Sequence, residues 1–167
     1  MKPTPFPSSA TSIMLLLCFA LSSCGNFRAL YGKDEALGKK LSSIEIEEID
    51  TVNGSEIYHN LVNLMGQGED TQYLLKISPL SDAVSPLAIT GHANVVKQNV
   101  TQLYEYSLID KISGKILDKG KIRVVGSYDA LSTPYASYTK EKTLKKNLSQ
   151  TIAEEIYMRL MLYFSSI

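Results

Sequence analysis

The chain has 167 residues and carries 17 basic and 17 acidic residues, so its formal net charge is zero. A balanced chain has no strong global field, which argues against general nucleic-acid binding. Its two cysteines, Cys18 and Cys24, both lie near the amino terminus, so the rest of the chain has neither a disulfide nor a thiol. Packing alone must therefore stabilise the domain that follows.

The amino-terminal residues have the layout of an export signal. A short apolar run at residues 13–21 follows a lysine at position 2 and a stretch rich in proline, serine and threonine. This order predicts a signal peptide over residues 1–23, because the run is shorter than the roughly 20 residues that a membrane-spanning helix needs. The tripeptide Leu-Ser-Ser leads directly into Cys24 and resembles the bacterial lipobox, whose cysteine is acylated and becomes the first residue after cleavage. An ordinary signal peptide with an incidental cysteine is the alternative.

The pattern after Cys24 divides the chain into a tether and a domain. Residues 24–41 are predicted to form a lipid-anchored tether that becomes partly ordered, and residues 42–167 an α+β domain. Ile44 and Ile46 alternate with glutamates, which is typical of a half-buried strand. Ser55 is then predicted to be the N-cap of a short amphipathic helix that ends at Gly66.

Several further strands are predicted in the middle of the chain. A strand at residues 73–77 precedes an edge or irregular segment at residues 83–86, where proline withholds a ladder donor, and a weaker strand with a bend near Gly91. A hairpin over residues 101–128, turning at residues 111–115, supplies two more strands. Its alternation places five side chains toward the core: Tyr104, Tyr106, Leu108, Ile122 and Val124.

A polar loop at residues 129–138 is predicted to precede the longest helix, with Thr139 as its N-cap. Apolar side chains recur every four residues and form one stripe along it: Leu144, Leu148, Ile152, Ile156 and Leu160. Its last turns, residues 157–164, are apolar nearly all round. That pattern fits either a helix end buried on both sides or a contact surface for a partner.

The order of these elements sets the fold class. Two helices cannot cover both faces of a sheet of this width, so both should pack on one face. We therefore predict an α+β fold, a two-layer sandwich with two helices on one face of a four- to five-stranded, mostly antiparallel sheet. The other face of the sheet would be solvated or docked against another molecule.

The sequence contains no recognisable catalytic or metal-binding pattern. His59 and His92 are the only histidines, and neither lies in a motif. Metal sites usually combine histidine, cysteine and carboxylates at short spacings, and the chain also lacks a nucleophile elbow, a phosphate loop and a Ser-His-Asp set. We therefore expect a non-enzymatic binding or assembly protein that needs no metal and no cofactor.

Two stretches resemble one protein family. Residues 24–32, which begin with Cys24, are similar to the start of LptE-type LPS-assembly lipoproteins, which often open Cys-Gly-Phe-Arg-Pro-Leu-Tyr-Gly; here Asn26 is inserted and Ala29 replaces the proline. Residues 133–136 before the long final helix, and the end of that helix, also resemble the family. The rest of the chain matches it in the order of elements rather than in residues.

This resemblance implies a function. Members of the family are non-enzymatic outer-membrane lipoproteins, anchored on the periplasmic face, that plug and help assemble the LptD-type β-barrel and contact lipopolysaccharide. It implies the barrel, lipopolysaccharide and the membrane as partners, and no nucleic acid. Candidate lipopolysaccharide contacts are basic residues of the strands and turns: Lys97, Lys115, Lys119, Lys121 and Arg123. Candidate barrel contacts are the tyrosines near the loop before the final helix: Tyr128, Tyr135 and Tyr138.

Two other functions remain open from the sequence. A lipid-anchored periplasmic chaperone or transporter accessory subunit would have the same anchor without the barrel. A lipid-anchored hydrolase is a third interpretation, although no catalytic set can be assembled for it. For the basic strand residues, a solvated face is also an alternative to lipopolysaccharide contact. The three tyrosines could equally cap the edge of the sheet.

Overall fold

The computed structural model describes residues 35–89, 96–130 and 133–167. Three helices and four strands form these ranges. In chain order they are α1 (Glu35–Ser42), β1 (Ile44–Ile46), α2 (Val52–Met65), β2 (Tyr73–Ile89), β3 (Val96–Asp110), β4 (Ile116–Ala130) and α3 (Pro134–Ser165). The predicted signal peptide, Cys24 and His92 lie outside the described residues.

The four strands form one mixed sheet in the order β1-β2-β3-β4. The short strand β1 runs parallel to the start of β2, whereas β2, β3 and β4 pair antiparallel as a meander. The predicted α+β class with a mostly antiparallel sheet is therefore confirmed. One helix more than predicted is present, because α1 forms from the last residues that the sequence assigned to the tether.

Strand β2 is longer than predicted. It runs without interruption for 17 residues, through the segment at residues 83–86 that the sequence predicted to be an edge or irregular segment, and the edge alternative is the one observed. Its pairing with β3 shifts register between Pro79 and Ser81 and again between Pro86 and Ala88. Only Tyr73 to Leu75 pair with β1, so both prolines lie where β2 is an edge strand within the described part of the chain. Proline is tolerated at edges and bulges because few ladder donors are needed there.

Helix α2 begins one turn before the predicted start. Thr51, rather than Ser55, is the N-cap, and its Oγ1 accepts a hydrogen bond of 3.0 Å from the Gly54 amide. Gly54 is buried against Ile49, and a side chain at that position would collide with it. The end of the helix is as predicted, since Gly66 follows Met65 with a φ of 72°.

Helix α3 also begins earlier than predicted, at Pro134 instead of after Thr139. Proline is favourable in the first turn of a helix because its φ is preset and its missing N–H is not needed there. Thr139 lies inside the helix, and its hydroxyl donates to the Tyr135 carbonyl at 3.0 Å. The resulting helix of 32 residues spans the length of the sheet.

The core lies between the helices and one face of the sheet. All but one of the predicted core residues of the hairpin and of the α3 stripe are buried: Tyr104, Tyr106, Leu108, Ile122, Val124, Leu148, Ile152, Ile156 and Leu160. The exception is Leu144, which is half-buried against them. Leu75, Ile57 and Leu61 complete its centre. None of the helices within the described ranges is both long enough and apolar enough to cross a membrane.

Candidate docking surface

One face of the sheet carries no helix among the described elements. Along β3 the even-numbered residues from Val100 to Leu108 are buried, whereas the odd-numbered residues from Lys97 to Ile109 are exposed or half-buried. Alternate residues of a strand point to opposite faces, so the helices cover only the even-numbered side. We call the other side the open face.

Small polar side chains lie along the open face, interspersed with Leu103 and Val125 near its middle. The strand register places them side by side on β2, β3 and β4: Ser78, Ser81, Ser85, Asn99, Thr101, Ser107 and Ser127. Antiparallel sheets commonly have one face on the core and one polar face that meets solvent or a wet partner. The open face has the chemistry of such a surface, since it can exchange hydrogen bonds with water or with polar side chains.

Three cations form a row on β4 at the margin of the open face. Lys119, Lys121 and Arg123 occupy successive outward positions, about 7 Å apart. The Lys121 ammonium lies 3.9 Å from Glu105. Within the described residues, Lys119 and Arg123 have no ion-pair or hydrogen-bond partner. This row therefore keeps its charge available to an anion.

The structure separates the other two predicted lipopolysaccharide contacts from this row. Lys97 is on the open face at the far end of the sheet, directly opposite Asp129. Lys115 lies in the turn between β3 and β4, at the other end. Three of the five candidate cations thus lie next to one another in one row, and the alternation of the β4 sequence is what brings them together.

Two further lysines of the open face are neutralised by carboxylates. Lys111 pairs with Glu45 at 2.5 Å and Lys76 with Glu47 at 3.3 Å. The hydrogen bond and the charge of Lys111 lower the pKa of Glu45 below its usual value, against a small opposing effect of burial. The available positive charge of the open face is therefore concentrated on β4.

The three candidate tyrosines lie in different environments. Tyr135 and Tyr138, on the first turns of α3, are 81% and 62% exposed. Tyr128 is buried, and its hydroxyl donates to Gln98 Oε1 at 2.6 Å and lies 3.2 Å from Glu141 Oε2. Burial, and then the negative charge of Glu141, raise the pKa of Tyr128. Only Tyr135 and Tyr138 can contact another protein without repacking the interior.

Strand parity in the sequence already distinguished these tyrosines. Tyr128 is even-numbered like Ile122 and Val124, so on a regular strand it must point to the same, buried side. Beside it an open groove of about 700 Å³ runs between the end of β4 and the first half of α3. Tyr128, Tyr135, Ala136 and Leu144 line this groove together with polar residues of α3.

The described residues show no arrangement suited to metal binding. No group of three or more histidine, cysteine or carboxylate side chains within residues 35–89, 96–130 and 133–167 could hold an ion. His59 is exposed on α2, as expected, with its ring centroid 5.5 Å from that of Tyr58. The feature that best distinguishes the surface is the open face, where cations and small polar side chains lie together.

The fold has solved counterparts among bacterial lipoproteins. A candidate lipoprotein of Caulobacter crescentus CB15 superposes with a TM-score of 0.65 and 19% identity, over 79% of this chain and 98% of that one. Rare lipoprotein B of Shewanella oneidensis gives a TM-score of 0.54 and 16% identity, over 74% of this chain and 92% of that one. At these identities the likeness shows a shared fold.

Sequence comparison gives a nearer relative. No family model matches the chain. The uncharacterized protein RP188 of Rickettsia prowazekii (strain Madrid E) is 38% identical over 151 residues, which cover 90% of this chain and 95% of that protein. Identity at this level across nearly the whole of both chains means that the chain belongs to the same family as RP188.

Proposed function

We propose that the chain is a lipid-anchored outer-membrane lipoprotein that plugs and helps to assemble an LptD-type β-barrel translocon for lipopolysaccharide. Its amino terminus has the lipobox pattern ending at Cys24. Its fold is one that solved bacterial lipoproteins have, rare lipoprotein B among them. The protein acts by docking, without an enzymatic step and without a cofactor.

The observation that carries this proposal is the open face. It is a wide antiparallel surface that carries small polar side chains, and no helix among the described residues lies on it. Barrel lumens are lined by polar and charged side chains. A rigid domain with one polar face and exposed tyrosines at one end is complementary to such a wall.

The basic row on β4 supports a contact with lipopolysaccharide. Lys119, Lys121 and Arg123 point outward from one strand, and two of them have no partner in the described part of the chain. Phosphate and carboxylate groups on a lipid would form charge-assisted hydrogen bonds with these side chains. Lys97 and Lys115 are too far along the sheet to join the same contact.

Purification of the tagged full chain from its own membranes in mild detergent tests the plug function. We expect a stoichiometric complex with one very large β-barrel protein. Recovery of a periplasmic client or of an inner-membrane transporter instead would favour the chaperone or accessory-subunit function. In the same preparation Cys24→Ala should abolish lipid labelling, because that thiol is the proposed acylation site.

Substitution of Tyr135 and Tyr138 with aspartate tests where the barrel binds. Both side chains are exposed, so the domain should remain folded while recovery of the barrel falls at least five-fold. The matched control is Lys140→Asp with Lys142→Asp, two exposed positions on the same helix. Full recovery of the barrel with the tyrosine variant would exclude this end of α3 from the interface.

Removal of the charges on β4 tests the lipopolysaccharide contact separately. We expect the full chain with Lys119→Gln, Lys121→Gln and Arg123→Gln to retain at least ten-fold less purified lipopolysaccharide in a pull-down. The control with Lys140→Gln and Lys142→Gln should stay within two-fold of the unmodified chain. Equal losses in both variants would indicate nonspecific charge attraction.

A further inference from the structure

The outer edge of β4 is a regular strand edge with no strand beyond it among the described elements. Its pairing with β3 is unbroken from Asp118 to Ala130, and it contains no proline. The outer edge of β2, in contrast, carries two prolines and two register shifts. Prolines and bulges prevent edge strands from pairing with another chain, and so do edge lysines when they meet like charges. On β4 the protection depends on its three cations alone. The β4 edge therefore has a row of backbone donors and acceptors that a further strand can pair with.

The charges along β4 are self-complementary. Val124 is the midpoint of the regular stretch between Asp118 and Ala130. When two copies of β4 pair antiparallel about Val124, Lys119 of each copy lies directly opposite Asp129 of the other. Opposite charges in such cross-strand positions are favourable. Neither residue has an ion-pair or hydrogen-bond partner within the described ranges.

The remaining pairs in this register are also compatible. On the open face Lys121 lies opposite Ser127, and Arg123 opposite Val125, so no like charges face each other. On the helix side each glycine of β4 meets a larger side chain, since Gly120 faces Tyr128 and Gly126 faces Ile122. Arg159 and Leu144 of the same copy already lie over these two glycines, so the glycines leave room for α3 and add no repulsive contact to the pairing.

In the same two-fold arrangement, helix α3 of each copy would contact the other copy. It runs antiparallel to β4, because Leu144 lies against Gly126 and Arg159 against Gly120. Met158 is two heptads from Leu144 and therefore lies on nearly the same stripe of the helix. A two-fold axis at Val124 would exchange the two ends of α3. It would bring the exposed Met158 and Leu162 of one copy toward the groove beside Leu144 of the other.

We propose that the β4 edge binds a second copy of this chain, antiparallel and centred on Val124, to form a continuous eight-stranded sheet. Backbone hydrogen bonds between the two edges hold the pair together, and the two Lys119–Asp129 ion pairs set the register. The exposed apolar end of α3, Met158 and Leu162, is then covered. This pairing does not rest on the proposed function, and because it engages Lys119, one copy cannot use that side chain for the pairing and for lipopolysaccharide at the same time.

Cysteine cross-linking between two differently tagged full-length copies tests the register. One copy carries Lys121→Cys and the other Ser127→Cys, which the pairing places directly opposite each other, about 5 Å apart. A short bis-maleimide should link the two tags. In the control the second copy carries Lys119→Cys, eight residues and about 27 Å out of register. Copies without new cysteines measure the background from Cys18 and Cys24.

A charge reversal tests the ion pairs themselves. Asp129→Lys in both copies should lower the cross-linking yield at least five-fold, because the new ammonium lies opposite Lys119 of the other copy as well as Lys97 of its own chain. Adding Lys119→Asp to both copies should restore the yield, since the pair is re-formed with reversed signs. A yield at background for the in-register pair, or a loss that the second substitution does not restore, would overturn the proposal. The positions substituted in these two experiments are all exposed, so circular dichroism should show unchanged folding: Lys119, Lys121, Ser127 and Asp129.

Discussion

The two halves of the interface between sheet and helices differ in chemistry. Where β2 and β3 meet the end of α3, the packing is apolar and closed, with Leu75, Leu108, Ile156 and Leu160 all fully buried. Where the far ends of the strands meet the first half of α3, polar side chains occupy the same layer. We call these regions the apolar half and the polar half. Area-dependent burial stabilises the first, whereas the second depends on each polar group finding a partner.

The polar half is a connected network with one defect. Lys145 on α3 pairs with Glu141 at 3.0 Å and with Asp82 of β2 at 3.3 Å. Asp82 also accepts a hydrogen bond of 2.9 Å from Asn53 of α2. Gln102 is fully buried beside this network, and neither its oxygen nor its nitrogen has a partner within the described structure.

This difference shows where the fold is stable and where it is adjustable. A fully buried apolar side chain contributes about 1.5–3 kcal/mol, and an unpartnered buried polar group costs about 1–3 kcal/mol. The apolar half should therefore hold the sandwich together. The polar half, which adjoins the exposed tyrosines of α3, should be the easier part to rearrange when a partner binds.

Truncation in the apolar half should have the largest effect. We expect Ile152→Ala and Ile156→Ala each to lower the free energy of unfolding by about 2–5 kcal/mol, because each leaves a cavity against the sheet. Urea denaturation measures this loss. Asn147→Ala, at an exposed position of the same helix, should stay within about 0.5 kcal/mol of the unmodified chain. Equal effects at all three positions would mean that the buried stripe of α3 is assigned wrongly.

Replacement of Gln102 should change stability in the opposite direction. Methionine has a similar shape and no amide to satisfy, so Gln102→Met should raise the free energy of unfolding by about 1–3 kcal/mol. The same urea titration measures the gain. A loss of stability would mean that the Gln102 amide has partners in solution, and the polar half would then have no defect.

The ion pairs of Lys145 should have a smaller effect. Lys145 lies off the apolar stripe of α3, but its side chain is only 22% exposed and forms ion pairs with two carboxylates. We expect Lys145→Ala to cost about 1 kcal/mol. A double-mutant cycle with Asp82→Ala measures the interaction energy between Lys145 and Asp82. Additive losses would show that the 3.3 Å pair contributes nothing.

Alkaline pH should produce the smallest change, and Tyr104 in the polar half should contribute to it together with Tyr106 and Tyr128, whose pKa values burial also raises. Burial, and then the charge of Asp82, raise the pKa of Tyr104 above its ordinary value of 10.0. The unfolded chain therefore releases this proton at lower pH than the folded one. The contribution of Tyr104 to the free energy of unfolding is fully present below about pH 10, and it is lost as the pH rises toward the raised pKa of the folded chain.

Urea midpoints measured between pH 8 and pH 11 test this dependence. The midpoint concentration of urea should stay constant from pH 8 and fall above about pH 10. Tyr104→Phe should make that fall shallower, because it removes the titrating hydroxyl. Ile152→Ala, in contrast, should lower the midpoint at every pH without changing the shape of the curve. A fall of equal steepness in the Tyr104 variant would assign the alkaline loss to other groups.

Local patterns in the sequence predicted much of the candidate docking surface. Alternation along β4 placed Lys119, Lys121 and Arg123 together and on the side away from Ile122. The same alternation assigns Tyr128 to the interior, which explains why it cannot share a surface role with Tyr135. What alternation could not show is that Lys76 and Lys111 are neutralised by glutamates, since those contacts depend on how β1 and the hairpin turn meet.

Helix starts were harder to predict than helix ends. Thr51 and Ser55 are both good N-cap residues, and the close contact between Gly54 and Ile49 accompanies a start at Thr51. At the carboxyl end Gly66 is the residue suited to a positive φ, so its signal is local and unambiguous. Pro134 extends α3 through a segment whose composition predicts a loop.

The sequence by itself determined the α+β class, the hairpin and the stripe of α3, because the periodicity of apolar residues that distinguishes strands from helices is visible within a short stretch of chain. Only the tertiary structure decided that β2 continues through its prolines, that Lys145 meets Asp82, and that Gln102 is left without a partner among the described residues. Those outcomes depend on strand register and on contacts between residues far apart in the chain. No local pattern contains that information.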